Sequence, residues 1–296
     1  MIPDKDHRFC SLLNWGMRMR TLGVGHILFA LAIFGLGVVG LTTGHFADGM
    51  QPVPAHFPAR EVLAHANGVL MLVLGLGLLV KRSAGLAAVV LTVYLLIWFF
   101  LLHGPIVISA PLVADNWSGF GENGTLIVGG LVLIATCSAQ SVPSLPKFLK
   151  GITGVHIARI VFAFAAFLMT MDNFPYPKAN ADFPPTWIPH WYGWGYLVGS
   201  AYVATGLSIL FRICSKFATN AAAAMMSLIT LLCWGAFVVH APTSYVQWTG
   251  LFISSALTGA GWMVAESYRA DPWFEIRWPG LRALSRNRNN HPEERA

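Results

Sequence analysis

The stretch PAHFPAREVLAHANGVLMLVLGLGLLVKRSAGLA, Pro54 to Ala87, decides the reading of this chain, because the chain writes it twice. Pro54, Pro58, Gly68, Gly75 and Ala87 recur as Pro185, Pro189, Gly199, Gly206 and Ala218, all at an offset of 131 residues. Prolines and glycines carry this register, and shared apolar composition alone would not align them. Upstream, Phe29-Ala30-x-Ala32-x-Phe34 returns as Phe162-Ala163-x-Ala165-x-Phe167 at offset 133. Downstream, His103-Gly104-Pro105 matches His240-Ala241-Pro242 at offset 137. The pattern is a tandem duplication with small loop insertions.

With 55% hydrophobic and 11% charged residues, and a mean hydropathy of +0.60, the 296-residue chain lies outside the range of soluble globular domains. Apolar runs of bilayer-spanning length, about 20 residues, fall near Thr21–Thr42, Glu61–Val80, Ala84–His103, Gly121–Cys137, His156–Met171, Tyr192–Phe211, Ala218–His240 and Val246–Ala265. The expected fold class is all-α: a polytopic membrane protein of eight transmembrane helices, arranged as two parallel four-helix bundles. Residues 1–20 form a basic lead-in with interfacial helix character, 21–140 the first quartet, 141–155 a linker with Pro143 and Pro146, 156–266 the second quartet and 267–296 a basic tail.

Charge placement supports the count. With the amino terminus inside, every Lys and Arg of the nineteen falls on the inner side except Arg60 and Lys178, as the positive-inside bias requires. Both termini are then cytoplasmic, and the two quartets insert in the same orientation. The same bias accounts for most of the net charge of +6, so nucleic acid is not the expected partner; the lipid bilayer is. The tail from Arg277 to Arg295 also suits anionic headgroups.

Cys10, Cys137, Cys214 and Cys233 form no C-x-x-C pair, which disfavours a thiol relay. The polar start and a full-length first apolar run argue for an uncleaved first helix. No phosphate loop, nucleophile elbow or dinucleotide fingerprint is present.

The positional hint of function is an asymmetry. His45, His56, His65, His103, His190 and His240 are expected on the outer face, with Asp48, Asp115, Glu122, Asp172 and Asp182 in the outer loops. Such groups beside an apolar rim suit proton exchange with a quinone, hydrogen bonds to its carbonyls, or metal ligation. His103 and His240 form an equivalent pair under the 137 offset, yet neither belongs to a known ligand spacing, so no metal site is expected. The aromatic residues of the second outer region, Trp187 and Trp191 among them, read as an interfacial belt.

The four-helix unit resembles the DoxX-like membrane proteins. The proline-bounded loops Pro54-Ala55-His56-Phe57-Pro58 and Pro185-Thr186-Trp187-Ile188-Pro189 carry the likeness. So do the glycines of the second helix and the ends at His103-Gly104-Pro105 and His240-Ala241-Pro242. Asn173-Phe174-Pro175-Tyr176-Pro177 is similar to that family's His-Phe-x-Tyr-Pro segment, with Asn173 in place of the histidine. The resemblance spans roughly residues 21–265 and implies quinone-linked redox work or partnership with a membrane redox complex. The expectation is an inner-membrane component of a bacterial redox system that binds a quinone or similar amphipathic molecule near the outer interface. His65, His103, Trp117, Trp187, Trp191 and His240 are its candidate lining residues. The alternatives are a scaffold subunit of a larger complex and a carrier for a small neutral or lipid-like solute.

Overall fold

The computed structural model describes residues 23–275 apart from 177, 179–182, 186 and 190, together with the side chains outside 139–141. The basic lead-in, the tail beyond residue 275, Cys10, Asp182 and His190 lie outside the described residues. Within them the chain is all-helical: α1 Val24–Thr43, α2 Arg60–Leu79, α3 Ala84–Ser109, α4 Ala114–Ser141, α5 Gly151–Leu168, α6 Gly193–Phe211, α7 Ser215–His240 and α8 Tyr245–Ser267. The first seven are long and apolar enough to cross a membrane. The eighth expected span forms its helix but falls short in apolar composition. Thr249, Ser254, Thr258, Gly259 and Gly261 of α8 are all buried. A helix walled by protein needs small and hydroxyl-bearing residues more than it needs a lipid-facing surface.

Two boundaries differ from expectation. α5 begins at Gly151, five residues before the apolar run, with Gly151 itself at φ 60° turning the chain into it. The outer connection between α3 and α4 shrinks to residues 110–113, because α3 continues past His103 to Ser109 and α4 starts at Ala114. Asp115, Trp117 and Glu122 are therefore helical and not loop residues. Proline does not halt α3 at residue 105: a five-residue π turn, Phe99–His103, absorbs the interruption, and Pro105 sits at the start of the continuing helix, where its missing N–H is tolerated.

The same device recurs at Thr230–Trp234 in α7, again at offset 131. This overturns the 137-residue register. Gly104 aligns with Gly235, Ala110-Pro111 with Ala241-Pro242, and both fourth helices start in step at Ala114 and Tyr245. Trp117 Nε1 donates to Pro111 O at 2.8 Å, and Trp248 Nε1 donates to Pro242 O at the same distance. His103 is thus equivalent to Trp234, and His240 to Ser109; the two histidines are not a pair.

Within each half the helices pack in sequence, first on second, second on third, third on fourth. Between halves they interlock. α1 lies against α8, α5 against α4, and α4 touches α8 through the centre. The α1–α8 contact brings the two main chains together at Gly25 and Gly259. A Cβ on Gly259 would stand 2.6 Å from Phe29 N and 2.9 Å from Gly25 O. One continuous core results, with Phe29, Ile33, Leu91, Leu126, Phe162 and Val264 all essentially without exposure. The first and last described segments share one end of the bundle, where Gly23 abuts the Glu266 carboxylate. The loops that follow α1 and α5 close the opposite, distal end.

A histidine near the terminal end caps a neighbouring helix. His26, buried, bonds Leu78 O at the end of α2 over 2.9 Å. Its counterpart at offset 133, Arg159, donates to Ser267 Oγ at 2.8 Å and to Ser267 O, and lies 3.7 Å above the Tyr268 ring.

Candidate functional site

The distal half of the second repeat is hollow. A cavity of about 790 Å³ lies between α6, α7 and α8, reaches α4, and is bordered by the loops after α1 and α5. That is the size of a small-molecule site. Its walls are mainly apolar: Val198, Met225, Ile229, Leu232, Ile253 and Leu257.

Local structure explains the opening. The π turn in α7 carries Cys233 and Trp234 onto the wall. Trp234 fits there because Gly250 of α8 has no side chain; a Cβ on Gly250 would fall inside the indole ring. Thr230 leaves the wall by bonding Ser254 Oγ at 2.7 Å and Thr258 Oγ1 at 2.9 Å, which fastens the π turn to α8. Phe183 packs edge-on against Trp234 at 5.6 Å between centroids and forms part of the border.

In the first half the equivalent positions carry polar and aromatic side chains that bond one another. At offset 131, Val198, Met225 and Ile229 correspond to Asn67, Tyr94 and Trp98. Gln51, fully buried, exchanges hydrogen bonds with Asn67 at 3.0 and 3.2 Å, and Tyr94 bonds both. Trp98 stacks edge-on to Tyr94 at 5.8 Å. These three polar side chains satisfy one another, so removing one member leaves buried partners unsatisfied. Gln51→Ala is expected to cost about 2 kcal/mol, read as a lower thermal midpoint in detergent, whereas Val198→Ala at the hollow equivalent of Asn67 should cost less.

The cavity's polar features gather where α4 meets the α5–α6 loop. Glu122 and Ser118 of α4, Asp172 and Asn173 beyond α5, and Tyr202 of α6 all line it. Asn173 is buried and donates to Met169 O at 2.9 Å and to Asp172 Oδ1 at 2.8 Å. Burial raises the Asp172 carboxyl above its ordinary pKa, and hydrogen bonds from Ser118 and Asn173 partly oppose that rise. Asp48, at the border, pairs with Arg60 across 3.2 Å. The described lining residues include no Lys, Arg or His.

None of the six residues singled out from sequence lines this cavity, and the fold does not bring them together. His65 bonds Leu41 O at 3.0 Å and approaches Glu61 at 4.0 Å on the bundle surface. His103 is buried against Met50 O at 3.0 Å in the filled half. Trp117 is tied to the α3–α4 turn, and His240 bonds Ala236 O within its own helix at 2.8 Å. Trp187 and Trp191 are 68% and 54% exposed. Trp191 nevertheless packs edge-on against Trp194 at 5.3 Å, and Trp194 is a wall residue. His45 similarly stacks behind the wall residue Tyr245 at 4.3 Å. Among the described residues no three His, Cys, Asp or Glu side chains are placed to hold a metal ion.

No protein-family model, curated protein or solved structure matches this chain.

Proposed function

We propose that this chain is an eight-span, DoxX-like protein of a bacterial inner membrane, with both termini cytoplasmic, that binds an amphipathic small molecule in the distal cavity of its second repeat. In this reading α8 is the eighth span and the two quartets are like-oriented copies sharing one core. The observation that carries it is the hollow itself: an apolar chamber of about 790 Å³ with one polar end, placed where the duplicated partner is filled by its own side chains. A chamber of this size in one copy of a duplicated unit, where the other copy carries a bonded cluster of side chains, suits a small molecule. The family resemblance implies a quinone of a membrane redox system; the chamber itself calls only for an apolar body with a polar end. The contact residues then shift from the six sequence candidates to Trp194, Tyr202, Met225, Ile229, Trp234 and Glu122.

Solvent extraction of protein purified in its native lipid, followed by mass spectrometry, tests the reading. One amphipathic organic compound in near-stoichiometric amount is expected. Bulk bilayer lipids alone, in their membrane proportions, would contradict it. A stoichiometric protein partner with no small molecule would favour the scaffold reading instead.

A further inference from the structure

The cavity reading leaves the ligand's head group open, and the polar end of the chamber narrows it. Tyr202 is only 6% exposed and its hydroxyl has no hydrogen-bond partner among the described residues, although it borders the chamber. Glu122, part-buried on α4, lines the same end of the chamber. It too has neither hydrogen bond nor ion pair among the described residues, while Asp172 and Asp115 bear on it electrostatically. Asp172 completes the group, and its bonds come from neutral Ser118 and Asn173. Asp48, at the border of the chamber, is already engaged by Arg60.

A hydroxyl and a carboxyl that face a mostly apolar chamber without protein partners favour a ligand able to bond them. Carboxyls clustered with no Lys, Arg or His among the described lining residues repel anions and favour hydrogen-bond donors that carry positive charge. Aromatic faces around the same space, Trp194, Trp234 and Phe183, attract a cation as well. Resting on the cavity reading above, the geometry points to a ligand with a protonated amine head, seated against Glu122, Asp172 and Tyr202, and an apolar body among Met225, Ile229 and Ile253.

The test uses three probes of one tail length: dodecylamine, dodecanol and dodecanoate. Binding is measured to the full chain in zwitterionic lipid nanodiscs, with empty nanodiscs subtracted. The wild type is expected to bind the amine saturably and at least tenfold more tightly than the alcohol, with no saturable binding of the carboxylate. Glu122→Gln and, separately, Asp172→Asn are each expected to cut the amine-to-alcohol preference severalfold. Equal affinity for amine and alcohol, a preference for the carboxylate, or a preference untouched by both substitutions would overturn the head-group assignment. If the three probes bind alike and all are lost when the chamber is plugged, the cavity reading survives without this inference. If the wild type binds none of them saturably, the inference falls on its own evidence, and the extraction experiment above decides the cavity reading separately.

Discussion

Gly259→Leu is expected to abolish the folded protein. The Gly25–Gly259 crossing is the point where the first helix of one half meets the fourth helix of the other, and main-chain atoms leave no room there for a Cβ. Backbone cannot swing aside as the end of a flexible side chain can, so α1 and α8 must separate along their length. Overpacking a rigid site costs about 1–3 kcal/mol, and parting this contact also opens the core around Phe29 and Ala260, both without exposure. A protein of ordinary marginal stability does not survive the two together. Size-exclusion chromatography in mild detergent should show loss of the monodisperse peak. Gly119→Ala is the control: nothing lies within 4 Å of the added carbon, and Ala is the better helix former by about 1 kcal/mol. A normal peak for Gly259→Leu would mean that the halves do not interlock as described.

The second large effect is a loss of binding without loss of fold. Val198→Asn, Met225→Tyr and Ile229→Trp together transplant the first half's filling residues into the second at their equivalent positions. Tyr and Trp each add substantial volume to a wall that now faces open space, and the first half shows that this helical frame accommodates them. Their polar atoms are the risk, because the second half's counterpart of Gln51 is Asp182, outside the described residues. The introduced amide and phenol are, however, each other's partners, as Asn67 and Tyr94 are in the first half. Ligand affinity should fall at least a hundredfold, measured by co-purified ligand per protein, while the thermal midpoint stays within a few degrees. Retained binding at wild-type strength would place the ligand elsewhere.

How much of this was legible beforehand follows from which residues carry register. Pro54, Pro58, Gly68 and Gly75 fix the repeat because backbone geometry tolerates few substitutes at such places. Gly25 of α1 works the same way: a Cβ there would stand 2.7 Å from Met263 N and 2.8 Å from Gly259 O of α8. The register failed where chemical identity was allowed to outrank spacing. His103-Gly104-Pro105 resembles His240-Ala241-Pro242 in letters, but Ala110-Pro111, Trp117, Gly119 and Gly130 find Ala241-Pro242, Trp248, Gly250 and Gly261 at the unbroken offset of 131. Those matches were available and would have dissolved the histidine pair.

The site was less legible because it arises from a difference between the copies. Val198, Met225 and Ile229 look like ordinary lipid-facing residues until they are set beside Asn67, Tyr94 and Trp98. Even then, only packing shows which set fills its space. Trp234 reads as one more belt aromatic, and the π turn that aims it has no sequence signature of its own. Glu122 was noticed as an outer carboxylate, but the expected loop would have left it in water. The helix that begins at Ala114 instead carries it into the wall, beside Tyr202. The histidines are placed by the backbone and not by the chamber. His65, His103 and His240 each bond a backbone carbonyl, as an imidazole near a helix end commonly does.

The most direct measurement is an experimental density map of the protein in its native lipid, examined at the two equivalent places. The account predicts non-protein density bounded by Tyr202, Met225, Ile229 and Ile253, with its polar end at Glu122, and none between Asn67, Tyr94 and Trp98. A second-half chamber closed by its own side chains, or density confined to the first half, would contradict it.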